Sequence, residues 1–334
     1  MYQLLGICLA LTVLLAVNAL ASLVTAVAWK ILQTRCSMLS ARARAEILFA
    51  LRALPPATAI LCVGFFLIPA YVNYEPLSTG EVVSKKLAAL AFLSAAGLAL
   101  ACWRICRSWL ATRALLRSWL DGAQRIQLAG IGVPTFRIRH SFPIIAVVGT
   151  IRPRLFIAEQ VLQALNPDEL TAAIAHEHGH LNARDNLKRS TLRACRNALF
   201  IVPFGRSLDR AWADAAEAAA DEHAASINCD SALNLASALV KIAKMVPAGP
   251  RATVPLGAYL VGAEETPGVK TRIRRLIEIA SAGFHAPAPH TSLSWVIPAI
   301  IVCAAMLCAV TLASNPHVLL TVHVLIEHTV EFLC

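Results

Sequence analysis

Asn166-Pro167-Asp168-Glu169-Leu170-Thr171-Ala172-Ala173-Ile174-Ala175-His176-Glu177-His178-Gly179-His180-Leu181 decides how the surrounding domain must fold. Asn166 is placed to cap a helix, Pro167 suits its first position, and Glu169 completes a capping-box spacing. Leu170, Ile174 and Leu181 recur at helical intervals and predict one buried stripe. His176 and His180 are four residues apart, so both imidazoles leave the same face of that helix. Two neutral imidazoles at that spacing can hold one Zn2+ ion, with Glu177 beside them to take a proton from water. The competing reading is a polar helix with ordinary surface histidines.

Composition sets the setting. The chain is 57% hydrophobic and only 15% charged, with a mean hydropathy of +0.63. Ordinary soluble chains carry about a quarter charged residues. The apolar excess is concentrated in runs of membrane-spanning length: Leu4 to Trp29, Ala53 to Val72, Leu87 to Trp103 and Leu293 to Ala313. Four spans place residues 30–52 and 104–292 on one side, which holds 28 of the 30 Lys and Arg residues. The positive-inside rule makes that side the cytoplasm, with both termini outside. The net charge of +10 is thus a membrane signal. No nucleic-acid motif or aromatic-interleaved basic strip accompanies it, so direct nucleic-acid binding is excluded. The ten cysteines show no C-x-x-C spacing and no disulfide framework, as expected of a reduced, cytoplasm-facing domain.

Three divisions follow: a three-span region at 1–103, a cytoplasmic domain at 104–292, and a fourth span with a short outer tail at 293–334. Arg104, Arg107, Arg113 and Arg117 predict that the third span continues as a basic stem at the membrane surface. Strands are expected at Thr135–His140, Ile144–Val148 and Leu155–Ala158. Helices are expected at Leu187–Val202, Trp212–Ile227, Ser231–Met245 and Lys270–Ala280, with a loop at 247–268. The fold class is therefore a four-span α-helical membrane protein with a cytoplasmic α+β domain.

Two histidines leave zinc one protein ligand short. Ala183 and Asn186 stand where a third histidine of an extended H-E-x-x-H-x-x-G-x-x-H motif would be. Glu217 and Asp221 are four apart on a predicted helix, so both face one way. Glu217 can ligate, and Asp221 can accept the second ring N–H of a ligand histidine. Glu222 is the competing ligand, a quarter-turn away. His178 points to the opposite face. His223 is a candidate substrate contact or an ordinary surface histidine, and Asp185 either ties the helix end or is a plain turn residue.

His176-Glu177-His178-Gly179-His180, then Asn182 to Leu187, then Glu217 to Asp221, resemble the BlaR/MecR-type membrane metallopeptidases, bacterial antirepressor signal transducers of the gluzincin type. Gly149 to Ile157 and Asn166 to Leu170 match that family's approach to its zinc helix. The resemblance implies that His176, His180 and Glu217 hold one zinc ion, Glu177 is the general base, and Asp221 supports the ligands from behind. It further implies a gluzincin-like fold for the cytoplasmic domain, a protein substrate such as a transcriptional repressor, and oxyanion stabilisation by Arg272. The edge of Ile144-Ile145-Ala146-Val147-Val148 is expected to take the extended substrate by backbone pairing. Ser314 to Cys334 is too short for an outer penicillin-binding domain, so a membrane sensor partner is expected. HtpX-type quality-control proteases share the motif pair, but typically have two spans before the zinc helix.

Overall fold

The computed structural model describes residues 2–36, 38–76, 83–128, 132–198, 205–246, 266–282 and 306–333. Three long helices dominate the N-terminal part. Helix α1 (Tyr2–Cys36) is followed by α2 (Ala41–Leu61), which passes through one π-helical stretch (Cys62–Leu67) into α3 (Ile68–Tyr74). Helix α4 (Lys85–Leu120) is the third. Ser40 and Ser84 start α2 and α4 by accepting the N–H groups of Ala43 and Leu87. Tyr2–Cys36, Ala41–Tyr74 and Lys85–Leu120 are each long and apolar enough to cross a membrane. At about 1.5 Å per residue, a helix of 36 residues outreaches the hydrocarbon layer by roughly 20 Å. The surplus of α4 becomes the stem, and its Trp119 reaches the domain core, edge-on to Phe156 at 5.2 Å.

The domain opens with a four-stranded sheet in the order β1-β2-β4-β3. Its strands are β1 (Gln124–Ile126), β2 (Thr135–Ile138), β3 (Ile145–Val148) and β4 (Arg154–Ala158). β2 and β4 are parallel, whereas β3 runs antiparallel to β4 and forms an edge of the sheet. β1 pairs antiparallel with β2 and has no strand-like signal in the sequence, because three residues are too few to show alternation. Short α5 (Glu159–Ala164) leads to α6 (Pro167–Ala183), α7 (Asp185–Ala198), α8 (Gly205–Ala225), α9 (Ser231–Met245) and α10 (Thr266–Ser281).

The core lies between the sheet and helices α6 and α9, around Ile145, Leu155, Phe156, Ile157, Leu235, Leu239 and Ile242. Leu170, Ile174 and Leu181, the expected stripe of α6, are only partly buried there. The closest packing falls instead to Ala172, Ala173 and Ala175, whose small side chains let neighbouring elements approach. The capping box forms as expected: Glu169 N–H donates to Asn166 Oδ1 (2.8 Å) and Asn166 N–H to Glu169 Oε2 (2.9 Å). Glu169 also receives Ser237 and Lys241 from α9 at 2.6 and 2.7 Å, which anchors the start of α6.

A second apolar cluster joins the spans to the domain. Ala45 and Leu48 on the first part of α2 pack against Leu192 of α7 and Leu208, Trp212, Ala215 and Ala216 of α8. Residues 41–52, expected as part of a loop between spans, are thus wholly helical and hold the domain. Of the expected fourth span, residues 293–305 lie outside the described residues, as do 247–265 of the expected loop. Met306–Ala313 is helical (α11) and meets α12 (Pro316–Leu333) at a bend of 82°. Residues 316–333, expected as an outer tail, are therefore helical. Leu319, Ile326 and Val330 pack against Leu5, Leu67, Tyr71 and Leu87 of the span bundle.

Candidate metal centre

Helix α6 delivers His176 and His180 one turn apart, and α8 crosses it to deliver Glu217. Gly179 makes that crossing possible, because a Cβ there would lie 3.0 Å from the Ala220 Cα. The three side chains place one ligand atom each within 4.8 Å of one another. His176 Nε2 lies 3.2 Å from His180 Nε2, and each lies 3.6 Å from an oxygen of Glu217. Ligands about 2.0–2.1 Å from a tetrahedral ion sit roughly 3.3 Å apart, so this donor set fits zinc. Glu222, the rival ligand, pairs with Arg275.

Each histidine is backed by a carboxylate. Asp221 Oδ1 is 2.9 Å from His176 Nδ1, and Asp185 Oδ2 is 2.6 Å from His180 Nδ1. A carboxylate at Nδ1 holds the proton there and turns the Nε2 lone pair toward the ligand position. The left-handed residue Arg184 ends α6 and folds the chain back, which puts Asp185 within reach of His180. Sequence spacing could not separate that role from a plain turn.

Arg272 of α10 donates to both oxygens of Asp221, at 2.7 and 3.0 Å, and its Nη1 is 3.1 Å from Glu217 Oε2. It therefore clamps two carboxylates at once, the candidate ligand Glu217 and the buried Asp221 behind His176. Its Nη2 also lies 3.4 Å from His176 Nε2, so the guanidinium stands beside the ligand atoms. Burial pushes the Glu217 carboxyl up, but His180, Arg272 and His176 override it and hold Glu217 well below the usual range. Asp221 is also lowered, since Arg272 and His176 outweigh its burial. For His176, burial and Arg272 favour the neutral ring, yet Asp221 and Glu217 raise it to about 9. The same pair of carboxylates that draws a proton onto His176 favours a metal cation in its place.

Glu177 projects to the cavity side of α6. Burial pushes its carboxyl above the ordinary range, with His180, His176 and the Val147 N–H partly offsetting that shift. Val147 N–H donates to Glu177 Oε2 at 3.0 Å, so β3 positions the carboxylate. The Val147 carbonyl accepts from Asn186 Nδ2 at 2.9 Å, as does that of Gly149 at 3.2 Å. Ile144, Ile145, Ala146, Val147 and Val148 are all buried, and at Val147 both backbone groups already have side-chain partners. A peptide laid along this edge would meet Asn186, a residue whose role spacing did not reveal. Gly149, with φ of +109°, turns the chain where a Cβ would lie 2.8 Å from the Arg152 carbonyl oxygen. His223 contacts His178 at 3.3 Å, and neither lines the cavity. The cavity of about 350 Å3 runs from Val147 and Gly149–Ile151 to Leu181, Arg184 and Arg189, with Glu177, His180 and Glu217 at its base.

A helix-borne pair of histidines, a glutamate from a second helix and a buried glutamate beside them make a candidate zinc-binding site with a base next to it. Residues 146–292 match the model of Peptidase family M48, a family of zinc metallopeptidases. The match begins within β3, takes in α6 to α10, and leaves the three apolar helices outside it. Among curated proteins, none is similar enough to the chain to count as a match.

Proposed function

We propose that the protein is an integral-membrane zinc endopeptidase whose catalytic domain faces the cytoplasm of a bacterial cell. It cuts protein substrates at the membrane surface. The observation that carries this reading is the spacing of His176, His180 and Glu217, with Glu177 beside them. A zinc ion held by those three residues would supply Lewis acidity and a water of lowered pKa. Glu177 takes the proton of the attacking water and returns it to the leaving amine, a role suited to a carboxyl whose affinity for protons is raised by burial. Asp185 and Asp221 keep the imidazoles aligned throughout. The substrate lies along the β3 side of the cavity.

Glu177→Gln tests the chemistry. It should retain zinc and fold while losing at least about a thousandfold in peptide cleavage. Cleavage by that variant at the wild-type rate, with host proteases excluded, would sink the reading. The cytoplasmic placement rests on the Lys and Arg asymmetry, and a cysteine at position 190 should resist membrane-impermeant labelling in intact cells. Labelling from outside would overturn it.

The same reading extends to signalling. The resemblance to BlaR/MecR-type transducers supports cleavage of a transcriptional repressor, with a membrane partner supplying the stimulus. Proteomes of wild-type and Glu177→Gln cells after envelope stress should differ by a stabilised repressor. Accumulation of misfolded membrane proteins alone would favour quality control, and unchanged proteomes a scaffold.

A further inference from the structure

The cavity beside Glu177 has room for a side chain or two of a bound peptide, and its walls differ in character. On one side stands the turn after β3, with Ile151 90% exposed. On the other stand the end of α6 and the start of α7, contributing Arg184, Leu187 and Arg189. Three carboxylates reach the same space, and each is engaged: Glu177 by Val147 N–H, Asp185 by His180, and Glu217 by the histidine pair, Arg272 and, at the longer distance of 3.8 Å, Arg189. A guanidinium presents a planar fork of donors that matches a carboxylate.

The two arginines are set on the cavity wall in different ways. Arg184 is the only non-glycine residue with positive φ among the described residues, at 53°. Its N–H reaches the carbonyls of His180 and Leu181, a helix-ending position that ordinarily goes to glycine or asparagine. That left-handed turn brings Asp185 to His180 and at the same time sets Arg184 on the cavity wall. Arg189 lies with its Cζ 5.8 Å from the Trp212 ring and its Nη2 3.8 Å from Glu217 Oε1, which leaves its side chain 23% exposed. A side chain ordered before the ligand arrives loses little freedom on binding it.

We infer that Arg184 and Arg189 form an acidic-side-chain subsite, taking an Asp or Glu close to the scissile bond, with Ile151 and Leu187 receiving an apolar neighbour. This specificity rests on the peptidase reading and names its substrate class: an acidic, partly apolar segment of a protein. The net charge of +10 draws such segments toward the domain.

The test uses fluorogenic peptides of one sequence, with Glu, Gln or Lys placed in turn at each position flanking the cut. The full-length zinc-loaded protein in detergent should prefer Glu over Gln on the order of tenfold in kcat/KM at one position, as a charge-assisted bond requires. Arg184→Gln combined with Arg189→Gln should bring that ratio to within about twofold, and Arg184→Glu should shift it toward Lys. The same peptides, titrated by fluorescence anisotropy onto Glu177→Gln, give the preference without turnover. Absence of a Glu preference in both assays, or its survival in the double variant, overturns the subsite. If no peptide is cut but Glu177→Gln still prefers Glu over Gln, the peptidase reading falls and the acid-binding site stands.

Discussion

Helix α8 carries two aspartates that each meet an arginine away from water, and they do different work. Asp221 is fully buried, and its oxygens hold Arg272 and His176. Asp209, twelve residues earlier, accepts from Arg52 of α2 at 3.1 Å, with side-chain exposures of 16% and 6%. The first pair sits behind the ligand atoms and the second ties the same helix to a candidate span. One helix of 21 residues thus joins the candidate metal centre to a candidate span. The difference teaches that the position of Glu217 is set from both ends of α8, by Arg272 near the site and by α2 far from it.

The largest expected effect comes from breaking the site end. Glu217→Ala should lose nearly all zinc after dialysis against a mild chelator. Asp221→Asn should weaken zinc binding by about 10–100-fold, since the ligands remain and only their orientation is loosened. Arg272→Gln sharpens the point. A clamp predicts weaker zinc binding, whereas an oxyanion donor predicts normal zinc and poorer binding of a transition-state analogue. Glu222→Ala is the control and should keep its metal, because Glu222 is occupied with Arg275. Metal analysis of the four purified variants orders them.

These contrasts also explain what the sequence could reveal. His176, Glu177 and His180 are readable because helical periodicity alone puts them together, and Glu217 with Asp221 repeats that logic on α8. Asp185 was half readable: its neighbourhood is local, but its contact with His180 depends on one left-handed residue, Arg184. Nothing in the sequence joins Arg52 to Asp209, which are separated by 157 positions. The same holds for Asn186 and the Val147 carbonyl. The first half of α2 reads as a basic connection between spans because its hydrophobic partners, Leu208 and Trp212, lie on an Ala-rich helix far along the chain. The π-helical stretch Cys62–Leu67 leaves no local mark either. Local chemistry was legible, and packing between distant helices was not.

The membrane end of α8 should yield a smaller and different loss. Arg52→Ala leaves Asp209 in a largely buried place without that guanidinium, and breaking such a pair costs about 3 kcal/mol. Gly205 allows the contact, since a Cβ there would lie 2.7 Å from the guanidinium. The expected result is a lower midpoint in denaturant, measured in detergent, with zinc per chain unchanged at saturating metal. Arg52→Ala together with Asp209→Ala should cost less than the two single changes summed. If Arg52→Ala instead removes zinc without loss of stability, α2 acts on the ligands directly and the two ends of α8 are not separable.

The smallest effect isolates a third buried carboxylate, one joined neither to the metal nor to a span. Burial favours the neutral form of Glu169, but hydrogen bonds from Lys241, Ser237 and the Asn166 N–H outweigh it, so its carboxyl lies below the ordinary value of 4.5. A depressed folded-state pKa contributes stability above the unfolded value, and that contribution is lost as pH falls through the folded value. Glu169→Gln should therefore cost about 1–2 kcal/mol at neutral pH, the scale of hydrogen bonds to a charged group in a partly exposed pair. The gap between wild type and variant should stay constant down to about pH 5 and close below the ordinary value. Denaturant midpoints of both proteins, taken without zinc across that range, test it, because every other titrating group is shared and cancels. A gap that stays constant into acid would mean that Glu169 is held by packing and capping rather than by its charge. The capping box would then keep α6 in register without help from Lys241.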